Sequence, residues 1–215
     1  MAIAILPLLR VGGMQLFRME SSDQSEKALP RTAQIASAIG AIYFVVTAIW
    51  AFGYWLSGMS GFEALVHAMT TIATGGFSTS DESIGHFDSA AVDYLAAAGM
   101  VVGALPFLLY LKTLQGGWGT LVRDSQVQCF LSVVVILILM TTIWLWQGND
   151  VPLRQAVRLA TVNLVSIMTG TGYVTDDYSL WGSFALQIFF FIMFIGGCAG
   201  FPSVSFGKRP SRCLN

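Results

Sequence analysis

Charge is scarce in this chain. Asp, Glu, Lys and Arg make up 11% of its 215 residues, against about 25% in a soluble domain. Hydrophobic residues reach 55%. The two figures together exclude an ordinary soluble domain, a disordered chain, a collagen-like repeat and a coiled-coil array. An excess of basic charge is also absent: the net charge is -1, so no basic surface points to a nucleic-acid partner. Only three cysteines are present, none in a C-x-x-C pair, and Cys129 and Cys198 lie in apolar runs where a thiol is inert. Nothing in the pattern points to metal or redox chemistry, or to a bound cofactor. What remains is an all-α polytopic membrane protein.

The gaps between charges mark the spans. No charged residue falls between Arg31 and Glu63, and residues 35–56 within that gap are long enough to cross about 30 Å of hydrocarbon. Residues 94–111 read as a second span, 129–146 as a third, and 180–195 as a fourth that runs on into Gly196-Gly197-Cys198-Ala199-Gly200. Trp50, Trp55, Trp144, Trp146 and Trp181 sit near span ends, where an interfacial aromatic belt places them. Two further apolar stretches, 62–73 and 152–168, are too short to span, and each runs into glycine-rich sequence. The pattern predicts re-entrant helices and loops. Such backbone survives at membrane depth only where protein or a water-filled pathway satisfies its polar groups.

Nine of the eleven basic residues fall in segments 1–34, 112–127 and 201–215, which the positive-inside rule places in the cytoplasm. Eight acids lie on the opposite side: Glu63, Asp81, Glu82, Asp88, Asp93, Asp150, Asp176 and Asp177. Both short helices therefore enter from outside, beneath an acidic mouth that concentrates cations. The order span, short helix, glycine-rich loop, span occurs twice. Thr71-Ile72-Ala73-Thr74 matches Ser166-Ile167-Met168-Thr169, and after a one-residue gap Gly76-Phe77-Ser78-Thr79 matches Gly172-Tyr173-Val174-Thr175. Repetition of this kind suggests a pore or site built around an axis. The competing reading of the same glycines is close helix packing. His67 reads as packed or hydrogen-bonded rather than as a ligand, and His86 as solvated. Arg154 and Arg158 are expected to pair with Asp150 or Asp176, and Asp93 to lie at the membrane interface.

Residues 71–79 (Thr-Ile-Ala-Thr-Gly-Gly-Phe-Ser-Thr), 169–175 (Thr-Gly-Thr-Gly-Tyr-Val-Thr) and 194–200 (Phe-Ile-Gly-Gly-Cys-Ala-Gly) resemble motifs of the Trk/Ktr superfamily of potassium-uptake membrane subunits, and of its Trk type in particular. Leu6-Pro7 with Val11-Gly12-Gly13-Met14-Gln15 also resembles that family's link between its first and second repeats. The resemblance implies four helix–pore-helix–helix repeats of the potassium-channel-like type. It implies potassium uptake through a filter of backbone carbonyls, from Thr74, Gly75 and Gly76 and from Gly170, Thr171 and Gly172. It further implies a gate loop beginning at Gly196, Gly197, Cys198, Ala199 and Gly200. The expected location is the bacterial inner membrane, as a homodimer working with a cytoplasmic nucleotide-binding regulatory subunit. No catalytic residue, cofactor or nucleic-acid partner is implied, and potassium is the only ion bound.

On this reading residues 1–33 are the end of a preceding repeat and a cytoplasmic linker. Residues 34–113 form the family's second repeat, 114–127 a cytoplasmic loop, and 128–200 the third repeat. The tail, 201–215, departs from the family pattern and reads as an aberrant end, so the chain is expected to be a fragment or frameshifted copy. A potassium-conducting role is set against a non-conducting helix-packing or assembly role, and against a membrane enzyme, for which no Ser/His/Asp set, metal spacing or phosphate loop is found.

Overall fold

The computed structural model describes residues 32–117, 119–148 and 151–193. All regular structure among them is helical. The first helix, α1 (Thr32–Leu56), and α6 (Ser125–Gly148) are long and apolar enough to cross a membrane. Their surfaces show it. Phe44, Val45, Ile49 and Phe52 on α1, and Val135, Ile136 and Leu139 on α6, are exposed. In water this apolar area would be a large unfavourable patch; against lipid tails it is neutral.

After α1 the chain turns at Gly58 (φ +103°) into a short helix, α2 (Gly61–Ile72). Its start is set by a capping box. Ser60 Oγ accepts from the Glu63 N–H, and Glu63 Oε2 accepts from the Ser60 N–H at 3.1 Å. The second short helix, α7 (Leu153–Thr169), begins after Pro152, whose fixed φ and missing N–H suit a helix entry. Both short helices fall where the sequence places them, within a residue or two. Helix α7 packs on α6 and also on α3 (Ala90–Ala104), so it joins the two halves of the chain.

The stretch read as a single span over 94–111 is not one helix. It is α3 followed by α4 (Phe107–Gly116), bent by 85°. The cause is Pro106. It has no N–H to give to the carbonyl of Val102, and it drives Leu105 into extended backbone (φ -77°, ψ 147°). The orphaned Val102 carbonyl accepts instead from the Tyr110 hydroxyl at 2.7 Å and the Leu105 N–H at 3.3 Å. A short helix, α5 (Gly119–Arg123), leads to α6. The fourth span also starts later than its apolar run. A 3-10 turn (Tyr178–Trp181) and Gly182 at φ +94° precede α8 (Ser183–Met193). The expected gate residues 196–200, the linker motif at 6–15, Asp150 and the tail lie outside the described residues.

Small residues let α1, α2 and α3 close on one another. A Cβ at Gly99 would lie 2.3 Å from the Trp50 indole nitrogen, and one at Gly103 would lie 2.5 Å from the Ile72 carbonyl oxygen. The Trp50 indole in turn donates to the Leu95 carbonyl at 2.9 Å. Close approach through glycine is how membrane helices gain van der Waals contact without a hydrophobic driving force.

Candidate functional site: two paired glycine loops

The two glycine-rich loops share one backbone conformation. At the end of α2 the Thr74 N–H donates to the Thr71 carbonyl (3.1 Å) and the Gly75 N–H to the Thr70 carbonyl (2.7 Å). At the end of α7 the Gly170 N–H donates to the Ile167 carbonyl (3.1 Å) and the Thr171 N–H to the Ser166 carbonyl (2.9 Å). Thr74 and Gly170 both take left-handed φ (49° and 72°), as do Gly76 and Gly172 (69° and 90°). Every pair is separated by 96 positions. The sequence match inserts a one-residue gap between its two pieces; the backbone needs none, and Thr74 corresponds to Gly170, not Thr169. A left-handed φ is inexpensive for glycine but not for threonine, so Thr74 is the residue that hides this register in the sequence.

The loops lie against each other. A Cβ added to Gly76 would lie 1.9 Å from the Thr171 carbonyl oxygen and 2.9 Å from its carbonyl carbon. Gly76 is therefore required twice, for its φ and for the approach of the neighbouring backbone. Gly172 is required only for its φ, since a Cβ there meets nothing within 4 Å. Both helices deliver their carboxyl ends to this place, so the negative ends of two helix dipoles converge near Ala73 and Thr169.

Tyr173, which follows the second loop's last glycine, binds the two halves together. It is 1% exposed. Its ring stacks on His67 of α2, with centroids 6.2 Å apart. Its hydroxyl bonds Thr70 Oγ1 at 2.5 Å and Thr71 Oγ1 at 3.3 Å, and donates to the His67 carbonyl at 3.3 Å. Thr71 Oγ1 also meets the Tyr54 hydroxyl of α1 at 2.9 Å. Phe77, at the corresponding place in the first loop, is 75% exposed among the described residues. A 3-10 turn (Ser83–Phe87) docks on the second loop: the Gly85 N–H donates to the Val174 carbonyl, and the Val174 N–H to Ser83 Oγ, both at 3.2 Å.

Above the loops the surface is acidic. A cleft of about 540 Å³ is lined by Glu82, Asp176 and Asp177, with Gly85, Thr175 and Tyr178. The Ser179 hydroxyl and N–H both donate to Asp177 Oδ1, and these bonds hold its carboxyl below the usual range, so it is ionised at neutral pH. Asp176 accepts from the Trp181 indole at 3.1 Å, and the Trp144 indole of α6 donates to the Trp181 carbonyl.

Arg158 does not pair as expected. From α7 it reaches across to the other half of the chain, bonding Asp93 Oδ2 through Nε and Asp88 Oδ1 through Nη2 at 3.0 Å. Asp93 is 1% exposed and belongs to the contact between α3 and α7. A carboxylate with such small exposure needs a partner of this kind. No spacing signal marks this pair, because 65 positions separate its members. His67 is buried with both ring nitrogens bonded, as read from the sequence, and His86 is exposed. Of the six residues expected to line a filter, the structure places all six in the paired loops.

Comparison with known proteins agrees with this architecture. The profile of the TrkH family, described as cation transport protein, matches residues 1–213. The chain is 47% identical over 205 residues to the Trk system potassium uptake protein TrkI of Halomonas elongata, covering 94% of this chain and 41% of that protein. It is 36% identical over 208 residues to the Trk system potassium uptake protein TrkH of Escherichia coli, covering 93% and 42%. The crystal structure of the potassium transporter TrkH from Vibrio parahaemolyticus superposes with a TM-score of 0.76 at 33% identity, covering 93% of this chain and 40% of that one. The chain thus spans about two fifths of the length of these relatives. With the repeated helix–loop units and the span-length helices, the match shows that this multi-pass membrane chain belongs to the TrkH family of cation transport proteins.

Proposed function

We propose that this chain contributes two of four filter loops to a potassium-uptake pore, and that it is not an enzyme. The ion is coordinated by backbone carbonyls of Thr74, Gly75, Gly76, Gly170, Thr171 and Gly172. Alternating left-handed φ values let such a strand turn successive peptide groups toward one side, and a ring of carbonyls replaces the hydration shell of potassium. The observation that carries the reading is the pairing of two loops that share two turn hydrogen bonds and two left-handed positions, with Gly76 seated on the Thr171 carbonyl. Residues 34–113 and 128–200 are the two repeats, joined by the cytoplasmic loop 114–127. Residues 196–200 begin the gate loop. No cofactor takes part. The relatives' names as potassium uptake proteins support the substrate.

The protein sits in the bacterial inner membrane, with the acidic cleft outward to concentrate cations. Its complete form is a homodimer, regulated by a cytoplasmic nucleotide-binding subunit that docks on residues 112–127. The packing alternative assigns the loop glycines to helix contact. Gly99 and Gly103 already serve that purpose, whereas Gly170 and Gly172 touch nothing with a Cβ and are needed for φ alone.

The test is a chimera. The corresponding segment of the Halomonas elongata relative is replaced by this chain and expressed in a bacterium that lacks potassium uptake. Growth on low potassium that is lost on changing Gly76 and Gly172 supports the proposal. A chimera that reaches the membrane but never restores growth contradicts it.

A further inference from the structure

One feature of the short helices recurs at the loop register. His67 lies on α2 and Asn163 on α7, 96 positions apart, and both side chains are buried. Each bonds the carbonyl one turn back on its own helix. His67 Nδ1 donates to the Glu63 carbonyl at 2.8 Å, and Asn163 Nδ2 donates to the Leu159 carbonyl at 2.9 Å. Each then reaches the strand that leaves its own glycine loop. Nε2, the other ring nitrogen, bonds Ser78 Oγ at 3.0 Å. Asn163 Nδ2 donates to Thr175 Oγ1 at 2.7 Å, and its Oδ1 accepts from the Thr175 N–H at 3.2 Å.

Two chemically different side chains thus bridge helix to loop at one structural position. Packing alone does not explain this. An apolar residue would fill either site without the cost of burying polar atoms. We infer that His67 and Asn163 are positioning residues of the two loops, each anchoring the outgoing strand to the short helix so that the backbone between them is held in its left-handed conformation.

The partners differ by one position: His67 meets a hydroxyl eleven positions on, and Asn163 one twelve positions on. Thr79 occupies that twelfth position after His67, corresponding to Thr175. Thr79 is exposed, so the bonded partner of His67 is Ser78, and a His67→Gln side chain brings its terminal amide to the place of Nε2. No such substitute exists for His67→Leu. The roles stand on hydrogen bonding alone; only their effect on ion choice rests on the filter reading above.

The experiment measures hydrogen exchange of the full chain in lipid nanodiscs, followed in peptides covering 74–80 and 170–176. His67→Leu is expected to speed exchange in 74–80 by about tenfold, as loss of one net hydrogen bond allows. Exchange in 170–176, α1 and α6 stays unchanged. His67→Gln restores protection, and adding Ser78→Ala removes it again, while Thr79→Val alone is silent. Asn163→Leu does the same to 170–176.

Should the leucine chains fail to fold, Ser78→Ala and Thr175→Val remove only the far partner and carry the same expectation. The inference is overturned if His67→Gln exchanges as fast as His67→Leu, if neither loop responds, or if helices and loops accelerate together. A separate arm compares the chimera described above, which completes the proposed fourfold ring, in potassium chloride and choline chloride. Equal exchange there counts against the ion-filter reading and leaves the anchors standing.

Discussion

Gly76 and Gly172 occupy equivalent positions, yet alanine should affect them differently. At both, an L-residue must take left-handed φ, at about 1–2 kcal/mol. At Gly172 that is the whole cost, because the Cβ enters open space. At Gly76 the Cβ would sit 1.9 Å from the Thr171 carbonyl oxygen, and the gap must open by about 1.1 Å to reach the 3.0 Å below which Cβ contacts are essentially never found. The obstacle is backbone, so no side-chain rotation relieves it. Thr171 is buried and its N–H is tied to the Ser166 carbonyl. Displacing it strains or breaks that bond, adding about 1–3 kcal/mol if the group is left unpaired. Gly76→Ala is therefore expected to lose about 2–5 kcal/mol in total. Thermal unfolding of both variants in the same lipid reads the difference. The expected order is unmodified chain, Gly172→Ala, then Gly76→Ala, with faster exchange at residues 170–176 in Gly76→Ala although the change is in the other loop. Equal unfolding temperatures for the two variants, or no response in the second loop, would refute the claim that the loops are in contact.

Arg158→Met should destabilise the chain by about 3–5 kcal/mol, because it leaves Asp93 buried and unpaired. The double change Arg158→Met with Asp93→Leu should recover most of that loss in the same unfolding assay. Tyr173→Phe removes a hydroxyl with partners on α2 and should cost about 1–3 kcal/mol, with Thr70→Val losing much of its own effect in that background. Tyr110→Phe leaves the Val102 carbonyl short of a donor, and Pro106→Ala supplies an N–H in its place. The pair together should unfold at a higher temperature than Tyr110→Phe alone. Residues 1–215 expressed alone should not restore growth on low potassium, since two loops make half of a fourfold ring; rescue that depends on Gly76 and Gly172 would overturn this.

The helices and loops were legible where the signal is local. Length and charge gaps located α1, α6 and both short helices, and glycine pairs located the loops. What escaped was set by particular atoms. Pro106 lies in an uninterrupted apolar run, and only its missing N–H turns one span into two helices. Thr74 adopts a glycine-like φ and so disguised the constant 96-residue offset. The spacing of Arg158 points to nearby acids, while its partners Asp88 and Asp93 approach through helix packing, which spacing cannot report. His67 was read as bonded, but its kinship with Asn163 is invisible in composition, because imidazole and amide look unalike until their hydrogen bonds are compared.

The most direct measurement compares rubidium with sodium uptake in the chimera, for Gly172→Ala and for Gly103→Ala, with membrane abundance quantified in parallel. If the glycine loops select the ion, Gly172→Ala lowers the rubidium-to-sodium ratio at unchanged abundance. Gly103→Ala, which presses on the Ile72 carbonyl at the packed end of α2, lowers abundance first and leaves the ratio of the remaining protein intact. A Gly172→Ala chimera whose uptake falls only in proportion to its abundance, with the ratio unmoved, would contradict the account.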